Sequence, residues 1–306
     1  MKKTRVGLVL GTGAARGWAH VGVLEGLLAA DLVPDIICGT SMGALVGAAF
    51  AAGRFEALRD WAMAADRKAV ASLVDVSLLS GGLVDGVRIV EWMAGLDLAG
   101  PIEDLTIPFA AVATDLETGR EVWLRNGPLD QALRASISLP GIFSPVQIDG
   151  RWLVDGGLVN PVPVSLCRAM GADFVIAVNL NEDLLGRRLL PQVDPPVPAA
   201  TVEANGNWID MIKSMPSNLA SQIASIRLFG SAATPGYFDV LGNSLNIMQD
   251  QITRSRLAGE PPHVMVLPHV IDIGIMDFHR AREAIAEGRA AVETAIPVIR
   301  TKLERQ

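Results

Sequence analysis

One short motif in this sequence has the residue types and the spacing of a nucleophilic serine site. In the segment Gly39–Gly43, GTSMG, Ser41 follows an apolar run typical of a buried strand and precedes a small-residue pattern, residues 44–52, that predicts a helix. Such a strand-to-helix turn, called a nucleophile elbow, projects the serine hydroxyl away from the sheet, and a Cβ at either glycine would collide with neighbouring backbone. The helix N-terminus favours negative charge at the serine. Because this spacing also occurs by chance in glycine-rich chains, the prediction depends on partners elsewhere.

A second glycine-rich turn, Gly11–Gly17, follows the first predicted strand, Val6–Leu10, and precedes a predicted helix. Such a turn presents several backbone N–H groups to an anion. One candidate anion is a dinucleotide phosphate, but that site needs an acidic residue at the end of the second strand, where this chain has its serine motif. The other is the oxyanion of an acyl-transfer intermediate beside Ser41, if the first two strands are neighbours. The context favours the oxyanion.

The candidate partner of the serine is an aspartate. The segment Val146–Val154 predicts two short strands around an Asp-Gly turn, and this hairpin delivers Asp155 and two glycines at its end. Taken alone, Asp-Gly-Gly is ordinary turn chemistry. A serine hydroxyl, however, is a weak nucleophile until a base removes its proton, so Asp155 becomes a candidate base for Ser41.

Two arrangements of this chemistry are open from the residues alone. In a triad, Ser41 and Asp155 act with one of His263, His269 or His279, which is the chain order of α/β-hydrolases. In a dyad, Asp155 contacts Ser41 directly and is itself the base. The α/β-hydrolase fold builds several strands before its elbow, whereas Ser41 follows the second predicted strand here, so we favour the dyad. A non-catalytic dinucleotide-binding or regulatory module with the same glycine-rich loop is the alternative from another functional class.

Composition limits the class of protein and of partner. Half of the 306 residues are apolar and 19% are charged, which favours a well-buried α/β architecture. The net charge of −7 offers no electrostatic footprint for nucleic acid and argues against a generally basic membrane-binding surface. Cys38 and Cys167 stand in apolar contexts typical of buried free thiols in a reducing cytoplasm. No stretch is long enough to span a bilayer, so we expect a cytoplasmic protein, with peripheral membrane contact left open.

The order of predicted elements indicates the fold. Further strands are predicted at Pro108–Thr114, Glu121–Leu124, Phe174–Val178 and His263–His269. Helical patterns occupy residues 55–98 with a glycine break at 81–83, and residues 129–138, 163–170 and 278–303. We therefore predict a three-layer α/β/α sandwich with a mainly parallel central sheet and the elbow after the second strand.

We expect one domain over residues 1–306, in three parts. These are a catalytic core at 5–180, a proline-rich connector and apolar helical insertion at 181–262, and a last strand with a closing helix at 263–306. Residues 205–230 are a candidate lid, membrane-surface contact or subunit interface of a homo-oligomer, and plain core packing fits their pattern equally well.

These motifs together resemble a known family. The segments Gly11–Gly17, Gly39–Gly43 and Asp155–Gly157 are similar, in order and spacing, to the three signatures of patatin-like phospholipases. The block Arg134–Val146 is similar to the segment that precedes the family's catalytic aspartate. The likeness is greatest to bacterial proteins related to neuropathy target esterase, and it covers the part of the chain predicted as the catalytic core.

The resemblance implies a metal-independent Ser-Asp dyad hydrolase that needs no cofactor and cleaves acyl esters of phospholipids or lysophospholipids. It implies that Ser41 is the nucleophile and Asp155 the base. It also implies an oxyanion hole formed by the glycine-rich loop, with Arg16 stabilising that loop: Gly11, Thr12, Gly13, Ala14, Arg16 and Gly17. It further implies glycines that support the serine and aspartate motifs: Gly39, Gly43, Gly156 and Gly157. Thr12 and Ala14 stand where many members carry glycine, although their backbone N–H groups remain available.

Overall fold

The computed structural model describes residues 3–75, 84–182 and 237–306. The predicted glycine break at 81–83, the proline-rich connector and the apolar segment 205–230 lie outside these ranges. Within them, no helix is both long enough and apolar enough to cross a membrane.

In the described ranges, one sheet of eight strands forms the centre of the protein. The strands are β1 (Val6–Leu10), β2 (Ile36–Thr40), β3 (Phe109–Asp115), β4 (Glu121–Leu124), β5 (Val146–Ile148), β6 (Arg151–Asp155), β7 (Phe174–Val178) and β8 (Val264–Val266). Hydrogen-bonded neighbours follow the order β5-β6-β3-β2-β1-β7-β8, and β4 pairs with β3.

The five strands from β3 to β8 along this order are parallel, and the strands around β3 add an antiparallel edge. The first strand lies between two parallel partners, since Leu8 pairs with Ile37 of β2 and with Ile176 of β7. Strands β4 and β6 pair antiparallel with β3. The predicted mainly parallel sheet is confirmed.

Helices surround this sheet. They are α1 (Ala19–Ala29), α2 (Met42–Ala51), α3 (Phe55–Ala64), α4 (Arg67–Ser72), α5 (Val87–Gly95), α6 (Leu129–Ser136), α7 (Val164–Ala169), α8 (Tyr237–Gly259) and α9 (Ala281–Leu303). Short 3-10 turns occupy residues 14–18, 102–104, 156–158 and 278–280.

Two apolar clusters, one on each face of the sheet, give the three layers. Along β1, Leu8 and Leu10 belong to the first cluster and Val9 to the second, as a period of two requires. Helices α1, α2, α3, α6 and α9 contribute to the first cluster, and α7 contributes to the second. Cys38 and Cys167 lie in the second cluster as buried free thiols, as predicted.

The structure differs from the predicted elements at three places. The helical pattern over 55–98 is interrupted at residues 65–66, between α3 and α4, where the Asp66 side chain caps α4 by accepting a hydrogen bond from the Ala69 N–H at 2.8 Å. The run His263–His269 forms a strand only at β8; Pro268, which has no N–H to donate to a ladder, lies just beyond it. Residues 237–259 carry no predicted element of their own, yet they form the 23-residue helix α8. This helix becomes important at the site.

Candidate active site

Ser41 lies at the tip of a sharp turn between β2 and α2. Its backbone φ of 57° and ψ of −126° place a non-glycine residue at positive φ, which is uncommon and strained. A hydrogen bond of 2.9 Å from the Ser41 N–H to Ser136 Oγ stabilises this strained backbone conformation. Ser136 Oγ in turn donates to the Val112 carbonyl at 2.7 Å. The predicted block that begins at Arg134 thus contributes directly to the backbone of the elbow.

The two glycines of the elbow permit backbone contacts that a side chain would block. A Cβ at Gly43 would overlap the carbonyl oxygen of Leu10, and one at Gly39 would lie 2.5 Å from the amide nitrogen of Ala44. The elbow therefore packs directly against the end of β1, where the glycine-rich loop begins.

Sheet register brings Asp155 to the serine. Thr40, at the end of β2, pairs with Val112 of β3, and Asp155, at the end of β6, pairs with the next residue, Ala113. In this position Ser41 Oγ donates a hydrogen bond of 2.6 Å to Asp155 Oδ2.

Burial controls the acidity of this aspartate. Asp155 is 1% exposed, and its Oδ1 accepts a 2.7 Å hydrogen bond from the Gly157 N–H. Burial raises the pKa of Asp155 from 3.8 to about 6, and the hydrogen bonds from Ser41 and Gly157 oppose part of this rise. The carboxylate is therefore ionised at neutral pH, yet is basic enough to accept a proton.

No histidine contacts Ser41 or the Asp155 carboxylate within the ranges that the structure describes. His20 Nε2 instead lies 2.8 Å from the Gly11 carbonyl, and His263 Nδ1 accepts a hydrogen bond from the Val175 N–H. The hydrogen bonds of the Asp155 carboxylate come from Ser41 and Gly157. The geometry offers no observation in favour of a triad.

Some backbone N–H groups of the glycine-rich loop donate hydrogen bonds within the protein, and others are open, that is, without an acceptor among the described residues. The Gly11 N–H donates to the Val178 carbonyl at 3.1 Å, and the Thr12 N–H donates to the Pro161 carbonyl at 3.0 Å. Neither of these predicted oxyanion donors therefore has an open N–H. The N–H groups of Gly13 and Ala14, by contrast, donate to no residue in the described part of the chain.

The remaining predicted glycines lie where space is tight. A Cβ at Gly17 would overlap the side chain of Met42, the residue after Ser41, and one at Gly156 would overlap the Val112 carbonyl. These glycines let the loop and the aspartate turn approach the elbow.

Arg16 is a buried cation beside this loop. It is 3% exposed; its Nε donates to the Gly13 carbonyl at 3.3 Å and its Nη2 to Asn246 Oδ1 at 2.8 Å. Both acceptors are neutral, and no carboxylate among the described residues pairs with it. Burial lowers the pKa of Arg16 to about 10, so the guanidinium remains charged at neutral pH.

These groups line a cavity of about 20 Å³, which is room for about one water molecule. Its walls come from the loop, the elbow, the aspartate and three further segments: Thr12, Gly13, Ala14, Arg16, Ser41, Leu139, Asp155, Gly242, Leu245, Asn246, Gln249 and Ile275. Helix α8, which sequence reasoning missed, supplies four of them. The sequence feature that could have indicated its role is a pair of amide side chains, Asn246 and Gln249, which lie three positions apart and so share one helix face.

Comparison with known proteins identifies the family. The family model for patatin-like phospholipases matches residues 8–168, which contain the elbow, the loop and Asp155. The chain belongs to this family. The resemblance inferred from the motifs is confirmed, and membership implies lipid acyl hydrolase chemistry on a lipid substrate.

Relatives of this patatin-like chain include proteins of the NTE family. An uncharacterized NTE family protein of Mycobacterium tuberculosis is 34% identical over 95% of this chain and 91% of its own length. A second one from that organism is 31% identical over 95% of this chain and 46% of its own length. Patatin-like phospholipase domain-containing protein 7 of Rattus norvegicus is 35% identical over 58% of this chain and 14% of its own length.

Proposed function

We propose that this protein is a serine hydrolase in which Ser41 and Asp155 act as a dyad to cleave acyl esters of phospholipids or lysophospholipids. The observation that carries the proposal is the 2.6 Å hydrogen bond from Ser41 Oγ to a buried carboxylate, made at a strained elbow. Strain of this kind persists where the surrounding structure enforces it and clusters at functional sites.

In the acylation step, Asp155 takes the proton of Ser41 as Oγ attacks the ester carbonyl carbon. The carbonyl oxygen gains negative charge and accepts hydrogen bonds from the N–H groups of Gly13 and Ala14. The intermediate then collapses: the bond to the alcohol oxygen breaks, Asp155 returns the proton to that oxygen, and the acyl group stays on Ser41.

In the deacylation step, water attacks the acyl-enzyme while Asp155 takes one of its protons. The second tetrahedral oxyanion uses the same two N–H groups. Its collapse breaks the bond to Ser41 Oγ, which regains the proton from Asp155, and the fatty acid leaves. One base thus serves both half-reactions, and the atoms and protons of both steps are accounted for without a metal or cofactor.

The buried charge of Arg16 supports an anionic lipid as substrate. A buried cation without an acidic partner is costly, and an anion in the cavity offsets that cost. The phosphate of a phospholipid or lysophospholipid supplies such an anion. Because an acyl chain needs more room than one water molecule, we expect the apolar walls at Leu139, Leu245 and Ile275 to shift on binding.

Intact-mass spectrometry after treatment with a fluorophosphonate tests the nucleophile. We expect one adduct, mapped to Ser41 and absent from Ser41→Ala, and hydrolysis of lysophosphatidylcholine that the same substitution abolishes. A folded wild-type protein that forms no adduct would overturn the proposal. Cytoplasmic location, peripheral membrane contact and self-association remain predictions of the sequence analysis.

A further inference from the structure

We propose that Gln249 of helix α8 is a positioning residue for the oxyanion loop, residues 12–16, and that it acts through the side chain of Thr12. The inference rests on the proposed function, because the direction of this loop matters to a reaction only where an oxyanion forms. It concerns a residue outside the three sequence signatures.

Three buried side chains from distant segments meet at Thr12. Thr12 Oγ1 donates to Gln249 Oε1 at 2.9 Å and accepts a hydrogen bond from Asn181 Nδ2 at 3.0 Å. Asn181 Nδ2 also lies 3.1 Å from Gln249 Oε1, which closes a triangle. All three residues are at most 6% exposed. Because water does not compete at a buried node, these hydrogen bonds are stronger than they would be in water and reinforce one another.

This triangle lies where the backbone anchors of the loop are interrupted; they resume at Ala15, whose N–H donates to the Ile275 carbonyl at 3.2 Å. The N–H groups of Gly11 and Thr12 are held by distant carbonyls, whereas those of Gly13 and Ala14 donate to no described residue. The hydroxyl of Thr12 is therefore the anchor that directly precedes Gly13 and Ala14, which line the cavity at Ser41. Turning Thr12 would turn the peptide that follows it.

The same face of α8 also holds the far end of the loop. Asn246, three positions before Gln249, accepts from Arg16 Nη2, and Arg16 Nε reaches back to the Gly13 carbonyl. Residues three apart on a helix share one face, so a single helical surface contacts both ends of the loop. Helix α8 thereby holds residues 12–16 at both ends.

Gln249 also lies against the turn that carries the base. A Cβ at Gly157 would lie 2.5 Å from Gln249 Nε2, and the Gly157 N–H is the group that holds Asp155 Oδ1. One amide therefore packs between the oxyanion loop and the aspartate turn. This explains how the chain accommodates threonine at a position where glycine is common in the family: the added hydroxyl has two buried partners.

The experiment compares two substitutions that remove the tether with one that does not. Gln249→Met and Thr12→Val keep approximate size and remove the polar contact. Gln251→Met makes the same change at an exposed position of the same helix and is the matched control. Amide hydrogen exchange of residues 12–16 reports the loop directly and does not require any hydrolytic activity.

We expect faster exchange of the loop in Gln249→Met and in Thr12→Val, and wild-type exchange in Gln251→Met. With an ester substrate, kcat should fall about 10- to 100-fold in either tether variant while KM changes by less than about twofold, since displaced donors weaken transition-state binding. The double variant should be no slower than the slower single variant, because both changes break the same node.

Unchanged loop exchange in folded Gln249→Met would overturn the proposal, as would additive losses in the double variant. A wild-type protein that fails to react with fluorophosphonate would instead overturn the proposed function, and loop exchange would still decide whether Gln249 holds the loop. Equal losses in Gln249→Met and Gln251→Met would reduce the effect to general destabilisation of α8 and would also overturn the positioning role.

Discussion

The hydroxyl of Ser41 donates to the carboxylate of Asp155, although the two residues lie 114 positions apart. If Asp155 is the base, Asp155→Asn should suppress ester hydrolysis nearly as severely as Ser41→Ala, because an amide cannot accept the proton. Asp149→Asn, in the exposed turn of the β5-β6 hairpin, is the control and should keep wild-type rates. Retained activity in Asp155→Asn together with its loss in His269→Ala would replace the dyad with a triad.

The raised pKa of Asp155 predicts the pH dependence of the reaction. Above pH 6 the carboxylate is ionised and can take the serine proton; below pH 6 it is protonated and cannot. We expect kcat/KM to reach a plateau at neutral pH and to fall about tenfold per pH unit below about 6. A pH-rate profile with a soluble ester measures this. A plateau that extends down to pH 4 would contradict Asp155 as the base.

The same shift predicts a stability cost at neutral pH. Because the folded-state pKa lies above the unfolded value, the folded protein binds the proton more tightly, and stability falls as pH rises from about 4 to about 6. A rise from 3.8 to about 6 corresponds to about 3 kcal/mol at most. Asp155→Asn removes the buried charge, so it should unfold at higher urea concentration than wild type at pH 7. At pH 4 the two proteins should unfold at similar concentrations, and a difference that persists there would contradict this account.

Arg16 should discriminate between charged and neutral lipids. Arg16→Met keeps a long side chain and removes the charge, so we expect kcat/KM for a lysophospholipid to fall about 10- to 100-fold more than for a monoacylglycerol of the same acyl chain. Arg125→Met removes the charge of an exposed arginine that does not line the cavity, and it serves as the control. Equal losses on both substrates would limit Arg16 to supporting the loop through Gly13 and Asn246.

Gly43 should tolerate no side chain. A Cβ there would overlap the carbonyl oxygens of Leu10 and Gly11, which are backbone atoms that cannot rotate away. Gly43→Ala should lower the free energy of unfolding by about 1–3 kcal/mol or more, and it should also slow hydrolysis because the displaced atoms lead into the oxyanion loop. Gly95→Ala, at a helical glycine with open space around it, should be neutral or stabilising by up to about 1 kcal/mol. Urea unfolding of both variants measures the difference.

Much of the sheet was predictable because parallel strands buried on both faces appear in a sequence as short apolar runs. Val6–Leu10 and Phe174–Val178 match the parallel strands β1 and β7 at both ends. The elbow and the aspartate turn were likewise visible as local motifs. Their contact was not, because it depends on the register of β3 with both β2 and β6.

Helix α8 could not be predicted from amphipathicity because its polarity is reversed near the site. Gln249 and Asp250 face the interior, whereas Ile247 and Met248 are 50% and 47% exposed. Amphipathicity predicts that the apolar face of a helix packs on the core, which would place Ile247 and Met248 inside and Gln249 and Asp250 in solvent. The open N–H groups of Gly13 and Ala14 were also hidden, because the carbonyls that engage the preceding residues come from distant segments.

The central place of β1 has a consequence for biosynthesis. Strand β1 needs a partner on each side, and its second partner, β7, is made only after β2 to β6. The last helix, α9, packs on α1, where Arg289 meets Glu25 from 264 positions away. Until β7 has emerged, a ribosome-bound chain therefore carries an open edge at β1 that is exposed to aggregation. Reactivity of Ser41 should appear only after α8 and Ile275, which line its cavity, have emerged, which makes it a marker of the folded site.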